Sequence, residues 1–222
     1  MFPVDTFPPA PLDLTITFVA HATLSLNYGN AVIHVDPIGQ HADYAALPKA
    51  DIILITHEHS DHLDPEAIAS ARKATTTVIV ASKCAGRVEG AVVLHNGDSR
   101  AVNGIRIEAV PAYNIVHMRA AGSPYHPKGN GNGYVLTLGQ RRVYVAGDTE
   151  NTREMKALKG IDIAFLPMNL PYTMTPEMVC DAAMAFRPKI LYPYHFGDTD
   201  TSRIQALLAN VEDIEVRIRP MS

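Results

Sequence analysis

The chain has 222 residues, 47% of them hydrophobic and 19% charged, which excludes a disordered or collagen-like polypeptide and suffices for one sizeable core. Nineteen Lys and Arg against 23 Asp and Glu give a net charge of −4 without a basic face, so nucleic acid is not an expected partner. Ten His against two Cys exclude a disulfide scaffold and direct any metal toward imidazole and carboxylate rather than thiolate.

Residues 1–13, MFPVDTFPPAPLD, are proline-rich and read as an extended N-terminal arm, without the basic start or apolar stretch of a secretory signal. No apolar run approaches the roughly 20 residues of a membrane span, so a cytoplasmic protein without membrane contact is expected. From Leu14 the pattern turns to strands. Ile16, Phe18, Leu24, Leu26 and Tyr28 alternate with polar residues, Gly29-Asn30 makes a turn, and 31–35 returns to end at Asp36-Pro37. Residues 51–55, DIILI, form a short apolar strand of the kind buried on both faces. Asp64-Pro65-Glu66 opens a helix, with Asp as N-cap and Pro at the first helical position. Further strands are predicted over 78–81, 91–94 and 104–110.

Residues 111–133 are rich in Pro, Gly and Asn and exceed most connections inside a domain, the mark of a functional loop. Strands over 134–138 and 143–146 follow, then a helix from about Thr152 to Gly160 and a strand over 161–166. A capped helix starts at Thr175-Pro176-Glu177, and a strand over 190–192, a helix over 202–209 and a strand over 215–218 complete the chain. Sheets with both faces needing cover predict a layered α/β domain over 14–222.

The sharpest feature is Thr56-His57-Glu58-His59-Ser60-Asp61-His62, directly after DIILI. Four potential ligands fall within six residues. His57 and His59 project to one side of an extended segment, and Asp61 and His62 turn back toward the helix, so the loop can serve two adjacent metals. Two more candidates lie just past short apolar strands: Asp148, after a Gly147 that permits close backbone approach, and His195. Strand ends on one sheet edge converge, and together these residues make a His and Asp site that suits Zn²⁺.

On these residues the chain resembles the metallo-β-lactamase superfamily, from about Leu14 to the C-terminus. His57, His59, Asp61 and His62 fit its HxHxDH motif, Asp148 its bridging aspartate and His195 its final histidine. The segments around His21, Asp36-Pro37 and Pro193-Tyr194-His195-Phe196-Gly197 are similar to a branch of small metal-dependent hydrolases related to ascorbate-6-phosphate lactonase. The resemblance implies a single-domain αββα sandwich with the site along one edge. It also implies one or two Zn²⁺ ions, with Mn²⁺ or Fe as substitutes, and hydrolysis of a small ester, lactone or phosphoester by metal-activated water. Asp61 would be catalytic by ligating one metal and orienting that water. An iron-dependent oxidoreductase of the same fold and a non-catalytic metal protein are the alternatives.

One position departs from the family. Where a further histidine is expected after the mid-chain strand, the sequence reads Pro111-Ala112-Tyr113-Asn114, and an amide is a poor zinc ligand. Asn114 and His126 are both candidates to ligate or touch substrate. His126 is preferred as a ligand because the following Gly-Asn run can fold the loop back over the site. Asp36 and His21 are expected to support ligands from behind, as a carboxylate accepting from a ligand His N–H fixes its tautomer. Asn169 and Tyr172, before the capped helix, are candidate substrate contacts.

Overall fold

The computed structural model describes residues 2–221. Val4–Phe7 (β1), Leu14–Ala20 (β2), Thr23–Tyr28 (β3), Ala31–Val35 (β4), Ala50–Ile55 (β5), Arg72–Ala81 (β6) and Val92–Leu94 (β7) form one sheet in that spatial order. Pairing is antiparallel from β1 to β4 and parallel from β4 to β7. Ser99–Val102 (β8) and Ile105–Ala112 (β9) begin a second sheet. A two-stranded ribbon, Met118–Ala120 (β10) against Ser123–Pro124 (β11), intervenes. Gly131–Leu138 (β12), Arg141–Val145 (β13), Ile163–Pro167 (β14), Ile190–Tyr194 (β15) and Glu215–Val216 (β16) then complete the second sheet, in the spatial order β16-β15-β14-β13-β12-β9-β8. It repeats the plan of the first, antiparallel from β8 to β13 and parallel from β13 to β16.

Alternation along β5 shows how the layers form. Ile52 and Leu54 join the large core between the sheets, whereas Ile53 and Ile55 join a smaller cluster on the outer face. That outer cluster is covered by Pro65–Ala71 (α1), through Ala67, Ile68 and Ala71. Asp64 caps α1 by accepting from the Glu66 and Ala67 amides, and Pro65 sits at its start. Arg153–Lys156 (α2), Pro176–Phe186 (α3) and Ser202–Leu208 (α4) complete the helices. Val179, Ala182, Ala183 and Phe186 of α3, with Ile204 and Leu208 of α4, pack into the large cluster beside the second sheet. The architecture is the expected αββα sandwich.

Several boundaries differ from the sequence reading, each for a physical reason. Within the arm, Val4–Phe7 is extended but pairs with β2, and Asp5 accepts from the Arg219 guanidinium, so this segment is an edge strand. Strand β6 starts at Arg72 rather than 78, because Thr76 Oγ1 donates to Ala50 O and accepts from the Lys73 amide, drawing the threonine run alongside β5. Helix α2 ends at Lys156 rather than near Gly160, as Leu158 turns onto the large core. The Gly-Asn run is only partly loop: Gly129 and Asn130 lie in a turn and Gly131 to Gly133 open β12, where Ala146 O lies 2.6 Å from the position a Gly133 Cβ would take. Absence of a side chain there lets β12 lie close against the end of β13, from which Asp148 follows.

Candidate metal centre

The loops that carry the predicted residues leave one edge of the sandwich, mostly at carboxyl ends of parallel strands, where open α/β sheets place their ligands. Asp36 follows β4, His57 to His62 follow β5, Asp148 follows β13, Asn169 follows β14 and His195 follows β15. The two sheets are tied at this edge. Tyr134 Oη donates to Ile55 O at 2.8 Å, and the main-chain N–H of Asn132 donates to Thr56 O at 2.9 Å.

Two groups of donor atoms result. In the first, His59 Nδ1 lies 3.1 Å from His57 Nε2 and 3.3 Å from His126 Nε2. Asp148 Oδ2 closes the group, 3.3 Å from His126 Nε2 and 3.8 Å from His57 Nε2. In the second, Asp61 Oδ2 lies 3.6 Å from His62 Nε2, 3.4 Å from His195 Nε2 and 3.2 Å from His21 Nε2. Asp148 joins this group as well, with Oδ1 3.5 Å from His62 Nε2 and Oδ2 3.6 Å from His195 Nε2. Ligands about 2.0–2.1 Å from a tetrahedral ion are about 3.3–3.4 Å apart, so both groups have the spacing of a ligand shell. The three buried atoms His62 Nε2, His195 Nε2 and Asp148 Oδ1 have no hydrogen-bond partner. Buried polar atoms are rarely left without one, and three that converge fit the ligand set of a cation. The donor set therefore fits bound metal, with Asp148 adjoining both groups.

The partners behind the ligands select their tautomers. Asp36 Oδ2 lies 2.8 Å from His62 Nδ1 and accepts from Thr56 Oγ1 at 2.6 Å, while its Oδ1 accepts from the Thr56 amide at 2.8 Å. Thr56 Oγ1, having donated to Asp36, is free to accept from His57 Nδ1 at 3.1 Å. Both histidines are thus left with Nε2 toward the site. Asp36, His21 and His195 adopt left-handed backbone conformations, with φ of 45°, 55° and 44°. Each costs about 1–2 kcal/mol, strain of a kind that clusters where surrounding structure fixes a functional geometry. Asn tolerates that conformation, so Asp36→Asn isolates the lost charge. It is expected to weaken metal binding about 10–100-fold, measured by competition with a chromogenic chelator.

Electrostatics suit a cation. Burial alone would raise the Asp148 carboxyl, but His195 and His62 hold it well below the ordinary carboxylate range. For Asp61 the same opposition of burial to His195 and His21 ends well below that range. Burial and the neighbouring His62 depress His57, leaving the neutral imidazole that binds metal. His62 differs: burial would lower it, but Asp148 and Asp36 carry it up to about 9, so a metal there competes with a proton.

Asn114 does not face the donor groups. Its Oδ1 accepts from the His126 amide and lies 2.8 Å from His126 Nδ1, while its Nδ2 donates to Glu150 Oε1 and Tyr172 O. The amide supports His126 instead of replacing it. His21, expected behind the ligands, places Nε2 among the second group's donor atoms. Asn169 lies 3.5 Å from His195 Nδ1 and, with Tyr172, lines an open cavity of about 400 Å³ over Asp61 and Asp148.

Glu150 carries no sequence signal as a site residue, yet it is fully buried and accepts from the Ile115, Val116 and His117 amides and from Asn114. Burial raises its carboxyl, and the three amides outweigh that and hold it below the usual value. It anchors the loop that delivers His126. Thr56 is equally silent in the sequence: it acts through Asp36, 20 residues earlier.

The family described as the beta-lactamase superfamily domain matches residues 15–195. A UPF0173 metal-dependent hydrolase of Pelotomaculum thermopropionicum is 28% identical over 221 residues, 92% of this chain and 96% of the relative. One from Thermoplasma acidophilum is 32% identical over 203 residues, 86% of this chain and 87% of the relative. A crystal structure from Parabacteroides distasonis, provisionally described as a metal-dependent hydrolase, superposes with a TM-score of 0.94 at 49% identity, covering 100% of both chains. A metallo hydrolase from Ignicoccus hospitalis shares the fold, with a TM-score of 0.75 at 21% identity, covering 94% of this chain and 96% of that one.

Proposed function

Because the chain belongs to the beta-lactamase superfamily, we propose that it is a metal-dependent hydrolase of a small ester, lactone or phosphoester, with two metal ions in its edge site. The observation that carries this reading is the pair of donor groups that both approach Asp148, with three buried donor atoms left unpartnered. His57, His59, His126 and Asp148 would hold one ion, and Asp61, His62, His195 and Asp148 the other, with His21 beside it. Nitrogen and oxygen donors at tetrahedral spacing favour Zn²⁺, with Mn²⁺ or Fe as competitors. Such ions supply Lewis acidity for a carbonyl or phosphoryl oxygen and acidify a water at neutral pH.

The chain's own residues do the rest. The Asp61 side chain is nearly half exposed toward the cavity, and its carboxylate stays ionised, so it can accept a hydrogen bond from an incoming water and orient it. His21 and His195 fix that carboxylate from two sides. The cavity of about 400 Å³ admits a small molecule, with Asn169 and Tyr172 at its wall as substrate contacts. Among the described residues no helix is long and apolar enough to cross a membrane.

Protein stripped with a chelator and assayed against esters, lactones, phosphomonoesters and phosphodiesters is expected to lose turnover of one class and regain it on adding Zn²⁺. Turnover that survives stripping would overturn the reading. So would a protein that binds iron and consumes O₂ without hydrolysing any of them, or one whose metal raises only the melting temperature.

A further inference from the structure

We propose that Arg119 forms an anion-binding subsite of the cavity, and that the substrate is a small molecule carrying a carboxylate or phosphate group remote from the bond that is cleaved. The inference rests on the hydrolase reading of the same site. Most guanidiniums in this chain are committed: Arg142 pairs with Glu108, Arg187 with Asp213, Arg203 with Glu177 and Arg219 with Asp5. Arg119 is different. Among the described residues no carboxylate lies within 4.0 Å of it and no protein atom accepts its hydrogen bonds, yet it alone of the Lys and Arg residues lines the cavity.

Its position is built rather than incidental. Arg119 sits on β10 of the ribbon, with its guanidinium carbon 5.5 Å from the centre of the Tyr125 ring. Tyr125 is braced edge-on by Tyr172, ring centres 5.1 Å apart at 77°. The Tyr172 carbonyl is in turn held by Asn114, the amide that supports His126. A guanidinium packed on an aromatic ring keeps its N–H edge free, the edge that binds carboxylate and phosphate in a forked pair. The wall carrying this cation is therefore mechanically tied to the donor group below it. Charge agrees. Asp61 and Asp148 alone would repel an anion, whereas two divalent ions, if bound, would outweigh both carboxylates and leave the cavity cationic.

The test compares Arg119→Ala and Arg119→Lys with the wild type, all Zn²⁺-loaded, on matched esters or lactones with a remote carboxylate, a remote phosphate or a neutral group. Arg119→Ala is expected to lower kcat/KM for the anionic substrate at least about tenfold more than for its neutral counterpart, chiefly through KM, with partial recovery in Arg119→Lys. A greater loss on the phosphate or on the carboxylate series identifies which anion is bound. Equal losses on charged and neutral substrates, or no loss, would overturn the proposal. If the wild type hydrolyses nothing, the hydrolase reading fails on its own, and calorimetric titration decides the subsite. Glutarate and 3-phosphonopropionate reach beyond the metals, and acetate does not. Arg119→Ala weakening either of the first two more than acetate supports the subsite, and uniform affinities refute it.

Discussion

Replacing Asp148 by alanine is expected to reduce metal from two ions per chain to at most one and to lower hydrolysis by more than about 100-fold. Among the described residues it is the one carboxylate whose oxygens face both donor groups: Oδ2 toward His126, His57 and His195, Oδ1 toward His62. Losing a partner behind a metal ligand typically costs 10–100-fold, so losing a ligand shared by two ions should exceed the upper end of that range. Asp148→Asn is the sharper variant, since it keeps the volume and removes the charge that four imidazoles now surround. Elemental analysis, steady-state kinetics and circular dichroism on the same preparations separate loss of metal from loss of fold. Full metal content with undiminished turnover would remove Asp148 from the centre.

A second large effect is expected one residue earlier. Gly147→Ala should destabilise the protein by ~3 kcal/mol, a fall of about 6–12 °C in melting temperature for a chain of this size. Two causes act together. Gly147 has φ of +66°, a conformation that costs a residue with a Cβ about 1–2 kcal/mol. A Cβ there would also lie 2.9 Å from Asn132 O and 3.0 Å from Thr56 Cβ, and neither atom can swing away. Overpacking of that kind typically adds 1–3 kcal/mol. The same amide donates to Tyr194 Oη at 2.8 Å, so any backbone shift reaches β15 and His195. Metal affinity should therefore fall with stability. A variant that melts like the wild type would show that the sheets do not need to approach so closely at Gly147.

What could be read from sequence was what local chemistry determines. Asp64 and Thr175 cap helices because a short side-chain acceptor before Pro satisfies amides within three residues. The DIILI strand declares itself because both its faces are buried, and the three histidines after it fall within six residues. What could not be read depends on distant partners. Thr76 starts β6 early only because Ala50 O is beside it. Asn114 occupies the place where a ligand was expected, and its sequence cannot reveal that its oxygen faces His126 Nδ1, 12 residues on. The choice between His126 and Asn114 needed Glu150 to curl the intervening loop, and nothing in the run Gly147-Asp148-Thr149-Glu150 marks its last residue as the anchor.

In the proposed two-ion centre, His126 completes the first position. The most direct measurement is metal content per chain by inductively coupled plasma mass spectrometry, on protein purified without added metal and then equilibrated with Zn²⁺, for the wild type and His126→Ala. Two ions per wild-type chain and one in the variant is the predicted result. One ion in the wild type, or the same number in both, would contradict it.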